Sequence, residues 1–212
     1  MLRKDISDFL NTIPKNITLV AATKYVDAFI MKDMLKVGIN NFGENRVDSF
    51  LTKYELLKNE KDIVWHFIGH LQRNKAKEVI NKIDYLHSLD SLELAKVINN
   101  TRTTPLKVFI EISINLEENK NGVPYYQAEE FLNSLKEYKN IQVVGLMMMA
   151  DLNHVDAKNQ FHKLKVLRDE LEKKCRLKLP FLSMGMSEDY RFAIEEGATH
   201  IRLGRILYDN GF

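Results

Sequence analysis

One cysteine, Cys175, stands in 212 residues. A lone cysteine excludes an intrachain disulfide framework, and with no signal-peptide pattern at its start the chain is expected in the cytoplasm. Net charge is nearly absent as well: 31 basic residues face 29 acidic ones, a balance of +2. That leaves no electrostatic case for nucleic acid as a partner. No apolar run reaches membrane-spanning length, so no membrane association is expected. Linkers, repeats and low-complexity segments are missing too, and residues 1–212 are read as a single domain. Cys175 lies in "LEKKCRLKL" among lysines, as a bystander near a helix end rather than a nucleophile.

What remains is ordinary globular composition, 45% apolar and 28% charged, with enough length for a sizeable core. Short β-rich runs alternate with helix-like ones. Strands are expected at 16–23, 39–42, 64–69, 85–89, 106–113, 142–149, 181–184 and 200–203. Several are apolar on both faces, as strands of a covered parallel sheet are. Periodic segments at 27–37, 45–58, 73–82, 91–101, 125–139, 155–175 and 188–196 read as helices, the clearest carrying Phe161, Leu164, Leu167 and Leu171 on one stripe. Ser91 and Ser187 stand at helix starts, Gly197 at a helix end, and Pro105 and Pro180 just before strands.

Eight strands with helical crossovers give an α/β fold, a (β/α)8 TIM-type barrel, with an open doubly wound sheet as the rival. Too few residues follow the eighth strand for a closing helix. An extra N-terminal helix at 2–13, with Leu2, Ile6, Phe9 and Leu10, is expected to cover the seam between strands eight and one.

The stretch "AATKYVDAF" puts Lys24 directly after the apolar run of strand one. Barrel sites are built at the carboxyl ends of the strands, and by alternation Lys24 shares a face with Val20 and Ala22. An amine at an apolar mouth loses hydration, which favours the neutral form that attacks carbonyls. The plain alternative is a surface lysine opening the next helix. Two loops weigh against it. "LSMGMSEDY" offers Gly185, the Ser187 hydroxyl and outward-pointing helix amides; "HIRLGRILY" offers Gly204, where backbone can approach closely. Barrel phosphate sites recur after strands seven and eight. A reactive amine beside a phosphate cradle suits a phosphorylated aldehyde, with pyridoxal 5'-phosphate (PLP) the leading candidate.

The motifs "TKY", "NNFGENRV", "WHFIGHLQRNK", "KNG", "GLMMMA", "LSMGMSEDY" and "IRLG" occur in one order across nearly the whole chain. Together they resemble the PLP homeostasis proteins, a PLP-binding family similar to the barrel domain of alanine racemase. The resemblance implies PLP held as a Schiff base on Lys24. It implies phosphate held by Ser187 and the amides around Gly204 and Arg205, Arg202 facing the pyridine nitrogen, and Asn45 and Met184 near the cofactor. Lys120 resembles a family lysine linked to PLP handling. Arg46, Arg73 and Arg205 depart from the family pattern, as does the ending "YDNGF"; Arg205 replaces a small hydroxyl residue, leaving its amide and adding a charge.

An arginine at the ring nitrogen opposes its protonation and weakens the electron sink that PLP enzymes use. Racemisation also needs acid–base groups on both faces, which alanine racemase-like enzymes draw partly from a second domain. The first reading is therefore a PLP-binding protein that stores, buffers or delivers the cofactor. PLP-dependent apo-enzymes are its possible recipients, and a monomer is expected. The second is a small PLP-dependent racemase-like enzyme. The third is a sugar-phosphate barrel using Lys24 as an aldolase-type amine.

Several other residues have structural readings. His66 is expected inside the barrel as a hydrogen-bonded neutral imidazole, His70 nearer the mouth, and His87 and His200 in the core or rim; no third ligand is spaced for a metal. Trp65 and Phe67 are expected to pack outward. Glu111 interrupts an apolar strand and needs a partner, a lysine or histidine, with a general-base role as the alternative. Met147 could reach the cofactor, and 163–178 reads as a solvated helix face.

Overall fold

Apolar runs that read as strands buried on both faces form the staves of a closed ring. The computed structural model describes residues 1–115, 121–151 and 156–208. Its strands are β1 (Thr18–Ala22), β2 (Asn41–Glu44), β3 (Val64–Phe67), β4 (Tyr85–Leu89), β5 (Leu106–Ser113), β6 (Val123–Pro124), β7 (Ile141–Met147), β8 (Phe181–Ser183) and β9 (His200–Leu203). Hydrogen bonding runs in the order β4-β3-β2-β1-β9-β8-β7-β5, every pair is parallel, and β4 pairs with β5 to close the barrel. The two-residue β6 lies outside the ring, against the carboxyl end of β5. Closure rules out the open doubly wound sheet.

The crossovers are helical: α2 (Ala28–Lys36), α3 (Val47–Leu57), α4 (Ala76–Val79), α5 (Leu92–Thr101), α6 (Ala128–Leu135), α7 (Ala157–Cys175) and α8 (Tyr190–Glu195). Local chemistry sets their starts. The Asp27 carboxylate accepts from the amides of Phe29 and Ile30, and Ser91 Oγ accepts from the Leu94 amide. α4 is shorter than its periodicity suggests. Tight turns (Lys75 N–H to Gln72 O, Lys82 N–H to Val79 O) close it off on both sides. Gly197, at φ +91°, follows the end of α8.

The N-terminal helix α1 (Ile6–Asn11) is likewise shorter than residues 2–13, and it covers the expected seam. Leu2 bridges antiparallel to Tyr208, the Arg3 amide donates to Leu207 O, and Phe9 packs edge-on against Tyr190 of α8. Ile6 and Phe9 are buried there.

Strand residues divide by alternation. Phe42, Phe67, Leu86, Ile110, Leu182 and Ile201 face outward and join one large apolar cluster with the helices. Trp65 joins them, with Phe50 edge-on at 5.3 Å. The inward set is different in kind. His87 of β4 touches Ser183 of β8, and Phe109 of β5 touches His200 of β9, although neither pair of strands is adjacent. Those contacts cross the barrel interior, which is therefore packed with rings and polar groups.

Candidate functional site at the carboxyl mouth

The seam between the first and last strands organises the mouth. Val20 pairs with Arg202 and Ala21 with Leu203, so the register brings Gly204 beside Ala22. A Cβ built on Gly204 would lie 3.6 Å from both Ala22 Cβ and Ala22 O. Above this point the loop after β8 folds across. Ser187 Oγ accepts from the Gly204 amide at 3.3 Å and from the Ile206 amide at 3.5 Å. Two amides and one hydroxyl thus converge at the end of β1, a donor set suited to an anion.

This differs in detail from the sequence reading. Ser187 does not cap α8; it reaches the other loop instead, while the Asp189 carboxylate accepts from the Met186 amide. The converging amides are those of Gly204 and Ile206. The Arg205 guanidinium turns outward to an ion pair with Glu188, so it adds no free charge to the cradle. Gly185, at φ +92°, lets the loop pass: a Cβ there would come within 2.6 Å of Ala193 Cβ.

Lys24 lies two residues beyond β1, after Thr23, whose amide still donates to Gly43 O. β1 ends at Ala22, and a turn closed by the Val26 amide on Thr23 O carries Lys24 to the surface. The expectation of an amine desolvated among Val20 and Ala22 is corrected: Lys24 is exposed, with Nζ 4.7 Å from the centre of the Tyr25 ring. Such an exposed cation–π contact is worth only about 0.5–1 kcal/mol, little resistance to a swing toward the mouth.

Arg202 lies below, 4% exposed, donating to Ser183 Oγ at 2.7 Å and to Met148 O at 2.8 Å. Burial pulls its guanidinium down to about 10, against the upward pull of Glu111 and Asp189; it stays cationic at neutral pH. Glu111 also faces the mouth. Burial, then the charge of Asp90, pushes its carboxyl from 4.5 up to about 7, and Arg202 pulls the other way. The partner expected for it is absent among the described residues, where it makes no hydrogen bond or ion pair; part-neutralisation replaces pairing.

Beneath Arg202 the histidines take their expected places. His66 is fully buried, and burial followed by the charge of His200 drops it to about 3. Burial also holds His87 well below the usual imidazole range and brings His200 to about 4. His70 is exposed at the mouth, 3.3 Å from Asp90. Among the described residues no group of three His, Cys, Asp or Glu side chains is arranged to hold a metal ion.

Asn45 follows β2 at the mouth, with its Oδ1 buried and lacking a hydrogen-bond partner among the described residues. Gly69 packs on its backbone; a Cβ there would meet Asn45 O at 2.4 Å. Met184, in contrast, is fully buried in the apolar cluster outside the barrel, because alternation from Ser183 sends it outward. Met147 faces inward with Phe109. Arg46 turns to solvent and pairs with Asp48 at 2.9 Å. Lys120 and residues 209–212 lie outside the described residues.

Sequence reasoning missed one buried network. Lys53 Nζ donates to Glu44 Oε1 at 2.6 Å and to Thr23 O at 2.7 Å, while Thr23 Oγ and Ser49 Oγ donate to the same carboxylate. The pair pins the carbonyl immediately before Lys24. The signal was present: Lys53 sits in the buried stripe of α3 with Val47, Phe50 and Leu57, where a charge needs an opposite partner.

Comparison with known proteins agrees with this architecture. Residues 8–210 match the family model described as alanine racemase, N-terminal domain. A pyridoxal phosphate homeostasis protein of Aquifex aeolicus is 41% identical over 195 residues, covering 90% of this chain and 85% of that protein. One of Synechocystis is 37% identical and covers 95% of each. The structure of PipY from Synechococcus elongatus with PLP bound superposes with a TM-score of 0.88 at 29% identity, covering 96% of this chain and 100% of that one. An alanine racemase of Clostridium difficile shares the fold at 15% identity, with a TM-score of 0.79 over 99% of this chain and 58% of that one. By both the family model and these relatives, the chain belongs to the alanine racemase N-terminal domain family and, within it, to the pyridoxal phosphate homeostasis proteins.

Proposed function

We propose that this chain binds PLP and serves its homeostasis, holding the cofactor for storage, buffering or delivery rather than for turnover. One observation carries the reading: Ser187 Oγ and the amides of Gly204 and Ile206 converge beside Ala22, at the end of the strand that leads to Lys24. The donor set fits the cofactor. Neutral donors in a loop cradle suit a phosphate ester, the buried Asn45 Oδ1 has acceptor capacity to spare, and Arg202 supplies a fixed cation on the inner wall.

When bound, the cofactor supplies an aldehyde that condenses with a primary amine, losing one water, and a ring that can draw electrons. Lys24 offers the amine, which rests on the Tyr25 ring. Ser187 and the amides of Gly204 and Ile206 form the loop edge that would hold the phosphate. Arg202, cationic and locked by Ser183 and Met148, would oppose a proton on a ring nitrogen held near it and so would keep the ring a weak sink. Met184 contributes through packing, by fixing the loop that carries Ser187.

One observation favours the racemase-like reading: Glu111, titrating near neutrality at the mouth, is suited to moving a proton. Two measurements separate the readings. An absorbance spectrum with added PLP, then borohydride reduction and peptide mapping, is expected to label Lys24; label on another lysine refutes the site. Incubation with D- and L-alanine is expected to give no turnover; turnover lost on Lys24→Ala would establish the enzyme instead.

A further inference from the structure

A column of hydrogen bonds crosses the barrel interior from mouth to base. Arg202 Nη1 donates to Ser183 Oγ at 2.7 Å. Ser183 Oγ lies 2.8 Å from His87 Nδ1, His87 Nε2 lies 2.9 Å from His66 Nδ1, and His66 Nε2 lies 3.0 Å from Asn41 Oδ1. Asn41 Nδ2 then donates to Asn40 Oδ1 at 2.9 Å. Asn40 and Asn41 line an open cavity of about 370 Å³ at the amino end of the barrel, so the column reaches the opposite face.

Its direction is fixed by its ends. Arginine can only donate, so Ser183 Oγ accepts at the top. Asn41 Oδ1 can only accept, so His66 Nε2 carries a hydrogen at the base. A neutral His66 then presents Nδ1 as an acceptor, which makes His87 Nε2 a donor. A neutral His87 in turn presents Nδ1 to the Ser183 hydroxyl, which has its single hydrogen to give. Every link satisfies both partners, and every donor points from Arg202 toward Asn41. Burial of both imidazoles supports their neutrality. Bonds aligned this way polarise one another.

We propose that Ser183, His87, His66 and Asn41 form a one-way relay of positioning residues that fixes the Arg202 guanidinium and thereby sets the electrostatic field at the mouth. The relay itself follows from geometry; its effect on a bound chromophore rests on the PLP reading above. Other charged or titratable groups face it: His200 of β9, Glu111 and Lys107 of β5, Tyr85 of β4, and Asp90 and Asp189 from the mouth loops.

The test has two independent arms. In the first, long-range proton–nitrogen NMR of the full chain labelled at histidine, without PLP and near neutral pH, is expected to show His66 and His87 neutral with hydrogen on Nε2. An imidazolium, or hydrogen on Nδ1 of either, overturns the relay. In the second, PLP is added to parent, Ser183→Ala and Ser183→Thr proteins and the visible band is followed against pH. Absence of the band in the parent refutes the cofactor reading and leaves the first arm standing. With the band present, Ser183→Ala is expected to raise the ring-protonation midpoint by about half a pH unit or more, because a loosened guanidinium opposes the proton less. Ser183→Thr, which keeps the hydroxyl, is expected to follow the parent. An equal shift in both variants, or none in Ser183→Ala, overturns the proposal. His87→Phe keeps a ring of similar size and loses both nitrogens, so it repeats the test at the next link if Ser183→Ala fails to fold.

Discussion

Replacing Glu111 by glutamine should make the protein less sensitive to rising pH. The carboxyl titrates at 4.5 in ordinary surroundings and at about 7 in the fold, chiefly because it is buried. Below pH 4.5 both folded and unfolded chains hold the proton. Between 4.5 and about 7 the unfolded chain releases it and the folded chain keeps it, so the folded state binds more protons and stability falls as pH rises. Above about 7 both are ionised and the penalty is constant. The gap from 4.5 to about 7, at about 1.4 kcal/mol per pH unit, makes that penalty about 3–4 kcal/mol. His66 and His200 act in the opposite sense over part of the window, since their depressed values make the unfolded chain bind more protons there. The comparison of variant with parent cancels them. Urea unfolding at several pH values between about 4 and 8 gives both stabilities. Glutamine in a buried site carries its own cost, of about 1–3 kcal/mol if unpaired, but that cost does not depend on pH. The difference in stability, Glu111→Gln minus parent, should climb by about 3–4 kcal/mol across the window. A flat difference would show that Glu111 ionises as freely in the fold as out of it, and the account of its carboxyl as desolvated would fail.

Other expectations follow from the same geometry. Lys24→Ala should retain the fold, which Lys24 does not help to pack, and lose borohydride-fixable PLP; stoichiometric fixation in that variant would place the amine elsewhere. Ser187→Ala should weaken PLP retention by about 1.5–3 kcal/mol, roughly 10- to 150-fold in dissociation constant, as loss of a charge-assisted hydrogen bond; dissociation at the parental rate would move the phosphate to another loop. Lys53→Met strands the buried Glu44 carboxylate and should cost about 3–5 kcal/mol in urea unfolding. Lys53→Met combined with Glu44→Gln should recover much of that loss, and equal destabilisation by the single and double variants would argue against a coupled pair.

The strands were legible because barrel strands are covered on both faces and stand out as apolar runs. Residues 85–89, 106–113 and 200–203 match their strands to the residue. Helix ends were less legible. The motif around α4 has helical periodicity over 73–82, yet turns consume most of it. Ser187 and Gly204 were recognisable as a pair of loop features, while which amides converge depends on how two loops fold over each other. Lys24 was expected to be desolvated at an apolar mouth, whereas the turn that follows β1 leaves its side chain in solvent. The polar column was beyond sequence logic, since His87 and Ser183 are separated by 96 positions and meet only through the closed ring. Ser183 and His87 look in sequence like ordinary core or rim residues.

Ring closure has a temporal side. Gly204 and Ser187 reach Ala22 only once β9 has docked beside β1, and nearly the whole chain lies between those two strands. During synthesis the segment that bears Lys24 leaves the ribosome well before the loops that carry Ser187 and Gly204. A nascent or nicked polypeptide lacking β9 would carry the lysine without the Gly204 and Ile206 amides beside it, so on the function proposed above tight capture of a small anionic aldehyde would report that the ring had closed.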